Sequence, residues 1–279
     1  MRPLTFSAYH RQVRVFLARA RALGRSSSDL EDFLARYESV LAPNQFLTVF
    51  DVAAYRYTRH RRVREVLGYA PEEFTGLALI GHGVDRPIIH PDDVPFYLHF
   101  GRLVHQLASV VPDPVVVLRD YGWFRFRLSH RNGALLAAYY LSFYFELDDE
   151  RRPRSHVDIW SVTPLDVEAR FEPDFGFFMA NGFEGAKKTF HELNEAALGL
   201  RLTPQQSKIV TMLRAGLSRK EVAGRLHIAE GSVDSHFTTI RSNMNRFLER
   251  NGHAARVSSA IQLIAFAEKY KLLRDDPFR

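Results

Sequence analysis

The stretch Leu202–Met244 constrains this chain more than any other, because its helix starts and stops can be read from local chemistry. Thr203 suits a helix cap, Pro204 fits the first helical position, and Gln206 completes a capping box. Apolar residues then recur at Ile209, Val210, Leu213 and Leu217, and Gly216 ends the helix. Ser218 and Glu221 form a second capping box, ahead of a short helix that buries Val222, Ala223 and Leu226. His227-Ile228-Ala229 is a tight connection. A third helix buries Val233, Phe237, Ile240 and Met244. Its other face presents Asp234, Ser235, Thr238, Arg241, Ser242 and Asn245.

A short scaffold helix, a turn of a few residues and a longer helix with a polar outer face fit a major groove. The string also resembles the LuxR/GerE-type helix-turn-helix without a gap. The resemblance rests on Leu202-Thr203-Pro204, on Gly216-Leu217-Ser218-Arg219-Lys220-Glu221-Val222-Ala223 and on Ser232-Val233-Asp234-Ser235-His236. It implies contacts to double-stranded DNA from Lys220, Ser232, Asp234, Ser235, Thr238, Arg241 and Ser242, with Asp234, Ser235 and Thr238 at the base-reading positions. The family usually has Glu where Gln206 stands, which swaps one capping acceptor for another. It usually has Lys at Asp234 and often basic residues at Ser242 and Asn243. Asp234 can accept from a cytosine amino group, and Ser or Thr can serve several bases. A carboxylate also repels phosphate, so weak affinity or a different target sequence is expected. Extra residues, Arg246 to Gly252, precede the last helix. That helix spans Ser258–Tyr270, and the resemblance implies a homodimer contact there through Ala260, Ile264 and Ala267.

Charge points the same way independently. The chain carries a net +6. From Arg201 onward there are 14 Lys/Arg against 7 Asp/Glu, a net +7, and residues 1–200 carry −1. Such an excess is useful on DNA through counterion release.

The 279 residues allow two domains. No cysteine is present, so disulfides, zinc-thiolate sites and cysteine nucleophiles are excluded. Met1–His10 lacks the apolar core of a secretory signal. The longest apolar stretch, Leu135–Phe145, is too short to span a bilayer. The expected setting is the bacterial cytoplasm, with no membrane partner. No G-x-S-x-G, phosphate loop or H-E-x-x-H is present, and Asp51 lacks the acidic partners of a phospho-receiver, so no enzyme is expected.

Residues 1–44 read as two amphipathic helices, one on Val13, Phe16, Leu17, Ala20 and Leu23, the next on Leu30, Phe33, Leu34, Tyr37 and Leu41. From Gln45 the pattern turns to strands. Phe46–Asp51 and Ala54–Thr58 come first, then short helices and a longer helix from Asp92 to Leu107. Phe124, Phe126 and Leu128 alternate with Arg125 and Arg127. Asn132-Gly133 makes a hairpin turn, and Leu135–Leu147 and Val157–Val162 complete a meander. This is an α+β arrangement, a five-stranded antiparallel sheet with helices on one face, followed by a separate all-α domain.

Leu67-Gly68-Tyr69-Ala70-Pro71-Glu72-Glu73-Phe74-Thr75-Gly76 and His90-Pro91-Asp92-Asp93 resemble a PAS domain over 45–164. Two departures are a longer segment between Gly76 and His90 and Ser161-Val162-Thr163 where the family usually ends Asp-Ile-Thr. The resemblance implies a pocket for a small molecule between sheet and helices, which side chains could also fill. It names no cofactor. A flavin adduct would need a cysteine. A haem ligand would come from His99 or His105, which do not share a helix face well. His90, Asp92 and Asp93 suggest a metal cluster, but capping of the long helix by Asp92 or Asp93 explains them better, and no metal site is assigned. Residues 165–200 form an aromatic linker with a helix near Glu184–Leu198, and 201–279 the DNA-binding domain. The expected function is a sensor-controlled transcriptional regulator. The competing reading is a protein-interaction module with an empty PAS core and weak or no DNA binding.

Overall fold

The computed structural model describes residues 30–110, 116–150, 152–165, 171–179, 184–250 and 256–273. The helix expected on Val13–Leu23 lies outside them. Six strands form one antiparallel sheet in the order β2-β1-β5-β4-β3-β6. They are β1 Gln45–Asp51, β2 Arg56–Arg61, β3 Tyr121–Ser129, β4 Leu135–Leu147, β5 Pro153–Pro164 and β6 Asp174–Phe178. Between β2 and β3 lie α2 Val63–Leu67, α3 Gly76–Leu79 and the long α4 Val94–Val110. α1 is Leu30–Glu38.

Both faces of this sheet are covered, where helices were expected on one. Phe46, Phe126, Tyr140 and Trp160 pack toward Phe96, Phe100, Leu103 and Leu107 of α4. Phe46 stacks on Trp160 with ring centroids 5.3 Å apart. The opposite face puts Leu47, Val49, Leu141, Phe143, Val157 and Ile159 in one cluster with Leu34 and Tyr37 of α1. The cause is visible in β4, which is buried without interruption from Leu136 to Tyr144. A strand buried on both faces reads as a continuous apolar run rather than an alternating one.

The sheet also has one strand more than expected. β6 falls in the aromatic segment read as linker and pairs with β3, Phe175 opposite Phe124 and Gly176 opposite Trp123. Phe175 and Phe177 point into the α4 side of the core, and Phe178 stacks on Tyr121 at 5.2 Å on the other face. Gly176 leaves room for the indole. A Cβ there would sit 2.6 Å from Trp123 Nε1.

The start of α4 also differs from the capping expected of it. His90 Nδ1, not a carboxylate, accepts from the Asp92 backbone N–H at 3.3 Å. Asp93 is fully buried. Its carboxylate takes the Arg127 backbone N–H and Nε at 2.9 Å on Oδ2, and Nη2 at 2.8 Å on Oδ1. The pair pins α4 to β3, and the burial is tolerable because the charge is matched and bonded on both oxygens.

The helical half is α5 Glu184–Leu198, α6 Pro204–Arg214, α7 Arg219–Leu226, α8 Glu230–Arg250 and α9 Ala260–Lys269. It shares one apolar cluster with the sheet. Phe175 of β6 stacks on Phe100 of α4 at 4.4 Å and on Phe190 of α5 at 6.1 Å. Asn194 of α5 meets His99 Nε2 of α4 at 2.7 Å. Its amide nitrogen donates to the backbone oxygens of Tyr270 and Lys271, at 2.8 and 3.3 Å, just past α9. Lys271 Nζ pairs with Asp174 of β6 at 2.7 Å.

Gly176→Ala is expected to lower stability by about 1–3 kcal/mol, since overpacking against a buried indole forces a shift of strand or ring. Thermal unfolding followed by circular dichroism checks this, and an unchanged midpoint would contradict the close approach.

Candidate nucleic-acid interface

The helix starts are built as the local chemistry dictates. Thr203 with Gln206, and Ser218 with Glu221, each close a reciprocal capping box. A third box, Ser259 with Gln262, opens α9 one residue later than the expected serine. Gly216, at φ 86°, follows the end of α6. α7 stops on His227 in the left-handed region, φ 53° and ψ 44°, which turns the chain sharply into α8.

α8 is 21 residues long, because the extra segment from Arg246 to Arg250 continues the helix. Val233, Phe237, Ile240, Met244, Phe247 and Leu248 are buried beneath it. Ser235, Thr238 and Ser242 are exposed on the outside, and Ser232, Asp234 and Arg241 are half-buried beside them. Lys220 is exposed on α7. The α8 residues share the face of the helix opposite its buried stripe. Ser235 Oγ donates to the Gly231 carbonyl at 2.9 Å, so its hydroxyl proton is spent and its lone pairs face outward. Asn245, read as part of the outer face, instead ties α8 to the chain before α9. Its amide accepts from Val257 N–H at 2.7 Å and donates to Val257 O at 3.0 Å.

Asp234 does not stand as an isolated negative charge. Arg219 Nη1 lies 2.5 Å from its Oδ1, and the Arg219 guanidinium carbon sits 4.4 Å from the centroid of the Phe237 ring. No local sequence signal marks Arg219. The pair joins residues fifteen apart on different helices, which no helical spacing reveals.

The expected dimer residues are placed unevenly on α9. Ala260 and Ile264 are half-buried, but Ala267 is fully buried within its own chain. It faces inward with Leu263 and Phe266, so in this arrangement it cannot meet a second copy. Ile261, on the outer side of α9, is 76% exposed.

A cavity lies in the sheet domain. About 460 Å³ is lined by residues of β1, the β1–β2 turn, α4, β3, β4 and β5, among them Tyr55, Tyr97, His105, Tyr140, Ser142 and His156. Ser142 Oγ and His156 Nδ1 are 2.8 Å apart, and the His105 and His156 rings meet edge to face at 4.7 Å. His105 Nδ1 and His156 Nε2 are buried without a partner. Burial lowers His105 to about 4. It pushes His156 well below 6.5, with help from His105. Both imidazoles are therefore neutral near pH 7. Close by in β5, Asp158 is raised to about 7 by burial, although Thr48 Oγ1 lies 3.5 Å from its Oδ2. His99, the other histidine weighed as a haem ligand, is engaged with Asn194. Among the described residues no group of three or more His, Cys, Asp or Glu is placed to hold a metal ion. None of their helices is long and apolar enough to cross a membrane.

Residues 200–246 match the bacterial regulatory proteins of the luxR family, so α6, α7 and most of α8 are a LuxR-type helix-turn-helix. No curated protein matches the chain significantly in sequence. Among solved structures, the chain is similar to the VqmA–ligand–DNA complex of Vibrio cholerae, at 14% identity and TM-score 0.31 over 88% of this chain and 93% of that one. The VqmA dimer of Vibrio cholerae without target DNA gives 13% and 0.27, over 86% of each. The N-terminal domain of a Marinobacter aquaeolei diguanylate cyclase with a PAS/PAC sensor gives 14% and 0.31, over 42% of this chain and 92% of that one. These likenesses are distant, and what those proteins bind is a property of those proteins.

The buried histidines and Asp158 make opposite contributions to stability against pH. Between pH 7 and 5 the unfolded chain protonates His105 and His156 while the folded chain does not, so stability falls as pH falls. Asp158 takes up its proton first in the folded chain, so it adds stability over the same window. Asp158→Asn is expected to steepen the loss of melting temperature from pH 7 to 5, and His156→Gln to flatten it. Parallel curves for all three proteins would refute the burial of these groups as described.

Proposed function

We propose that the chain is a DNA-binding transcriptional regulator of the bacterial cytoplasm, in which α8 enters the major groove and the sheet domain senses a small molecule. One observation carries the reading: on a LuxR-type helix-turn-helix, the outer face of α8 is exposed, polar and free of large apolar groups. It belongs to the part of the chain that holds a net +7. The pairing of Asp234 with Arg219 removes the main reason to favour a helix-turn-helix that no longer binds DNA. The sensor cavity supports the second half of the reading. Its lining of tyrosine, serine and histidine side chains suits a small polar ligand.

Control would run through α4. His105 and Tyr97 face the cavity, while His99 of the same helix reaches Asn194 and the end of α9. A ligand that shifts α4 would shift the support of α8. Paired half-sites call for two copies on DNA. Their contact would use Ala260, Ile261 and Ile264, with Ala267 left to its own core.

The direct test is a gel shift with the DNA upstream of the chain's own coding sequence at several salt concentrations. Lys220→Ala and Arg241→Ala are each expected to weaken binding uniformly across sequences and to cut the salt slope by about one. Unchanged low-salt affinity of the double variant would sink the assignment. Light scattering of the complex should give two chains per site. Mass spectrometry of the protein as purified is the test for a bound small molecule.

A further inference from the structure

We propose that Arg219, a residue of the scaffold helix α7 rather than of α8, reads a guanine in the target, with Asp234 and Phe237 as the clamp that aims it. The inference rests on the DNA-binding reading above and adds a specificity-determining residue to it. Arg219 opens α7, and its side chain crosses to the N-terminal third of α8. There two contacts fix it. Asp234 Oδ1 holds Nη1 at 2.5 Å, and the Phe237 ring lies 4.4 Å beneath the guanidinium carbon. Phe237 is buried and cannot swing away, so a long and flexible side chain is held in one pose before any partner arrives.

The pose leaves donors to spare. A guanidinium has five N–H groups, and Asp234 engages Nη1 alone. About two-fifths of the Arg219 side chain is exposed, and half of Asp234, on the side of α8 that also presents Ser235 and Thr238. A planar fork of parallel N–H groups matches the N7 and O6 acceptors on the major-groove edge of guanine. A carboxylate beside the fork accepts from the donor that the base does not use. It also cancels the charge, so the guanidinium is directed at a base edge rather than drawn to phosphate. The local electrostatics thereby change sense. The carboxylate that would repel DNA by itself becomes the group that orients the reader. The other account of this geometry is a surface ion pair, worth little and reading nothing. The two accounts part in base preference rather than in stability.

The experiment selects duplexes from a randomised double-stranded library with the full chain at low and moderate salt. The enriched motif is expected to hold an invariant G·C pair. Placing 7-deazaguanine at that guanine, which removes only N7, should weaken wild-type binding about tenfold. Arg219→Ala should weaken binding by a similar factor and be indifferent to the 7-deaza substitution. Arg219→Gln keeps much of the stem over Phe237 and lacks the fork. It should behave like Arg219→Ala, which separates lost reading from lost packing. Asp234→Asn should keep low-salt affinity while its preference for that base pair shrinks. An unchanged motif for Arg219→Ala, or a wild type indifferent to 7-deazaguanine, would overturn the assignment of Arg219 while leaving the DNA-binding reading intact. A wild type that enriches no duplex even at low salt would overturn both.

Discussion

The buried carboxamide of Asn194 is the interaction on which the arrangement of this chain depends. Tyr270 O and Lys271 O can only accept, so the amide nitrogen must face them and the amide oxygen must face His99. That orientation requires His99 to carry its proton on Nε2. Burial lowers the His99 pKa, which keeps the ring neutral and able to act in this single role. One side chain thus joins a helix of the sheet domain, a helix of the connecting segment and the end of the last helix. Leaving its partners unmatched would cost roughly 1–3 kcal/mol for each buried group.

This joint sets the position of α8. Tyr270, whose carbonyl Asn194 holds, packs edge to face on Phe247 of α8 at 5.2 Å and against Phe266 of α9 at 4.6 Å. On the other side, α4 carries His99 toward the joint and His105 toward the 460 Å³ cavity. Cavity, α4, Asn194, Tyr270 and α8 are therefore contiguous packed groups. Such a chain of packed side chains and hydrogen bonds is one physical route by which a change at one end is felt at the other. The Lys271–Asp174 pair and the Phe100–Phe175–Phe190 stack run alongside it, so β6 is part of the same joint.

The helix-turn-helix was legible because its signals are local. Capping boxes, a glycine after a helix and an apolar stripe act within one or two turns, and Thr203, Ser218 and Gly216 stand where that chemistry puts them. In the meander, β3 was legible from its alternation, β4 from its long apolar run, and the hairpin between them from the Asn132-Gly133 turn. What escaped is non-local. β6 is five residues long with a glycine at its centre, and only Trp123 across the sheet explains that glycine. Asp93 suggested a cap because a carboxylate near a helix start usually is one, but its partner is Arg127, 34 residues on. Ala267 looked free to meet a second copy because the sequence does not reveal how the last helix packs within its own chain. Nothing in the sequence marks Arg219, because its partners Asp234 and Phe237 lie on another helix.

The central claim is that sheet domain and helix-turn-helix form one mechanical unit joined at Asn194. Both tryptophans, Trp123 and Trp160, belong to the sheet, so their fluorescence reports its unfolding alone. Far-UV circular dichroism reports the helical half as well. In a thermal melt of the full chain, the two signals should coincide for the wild type and separate for Asn194→Ala, because coincident probes mark one cooperative unit. Wild-type signals that melt apart, or an Asn194→Ala chain whose signals stay together at an unchanged midpoint, would contradict the account.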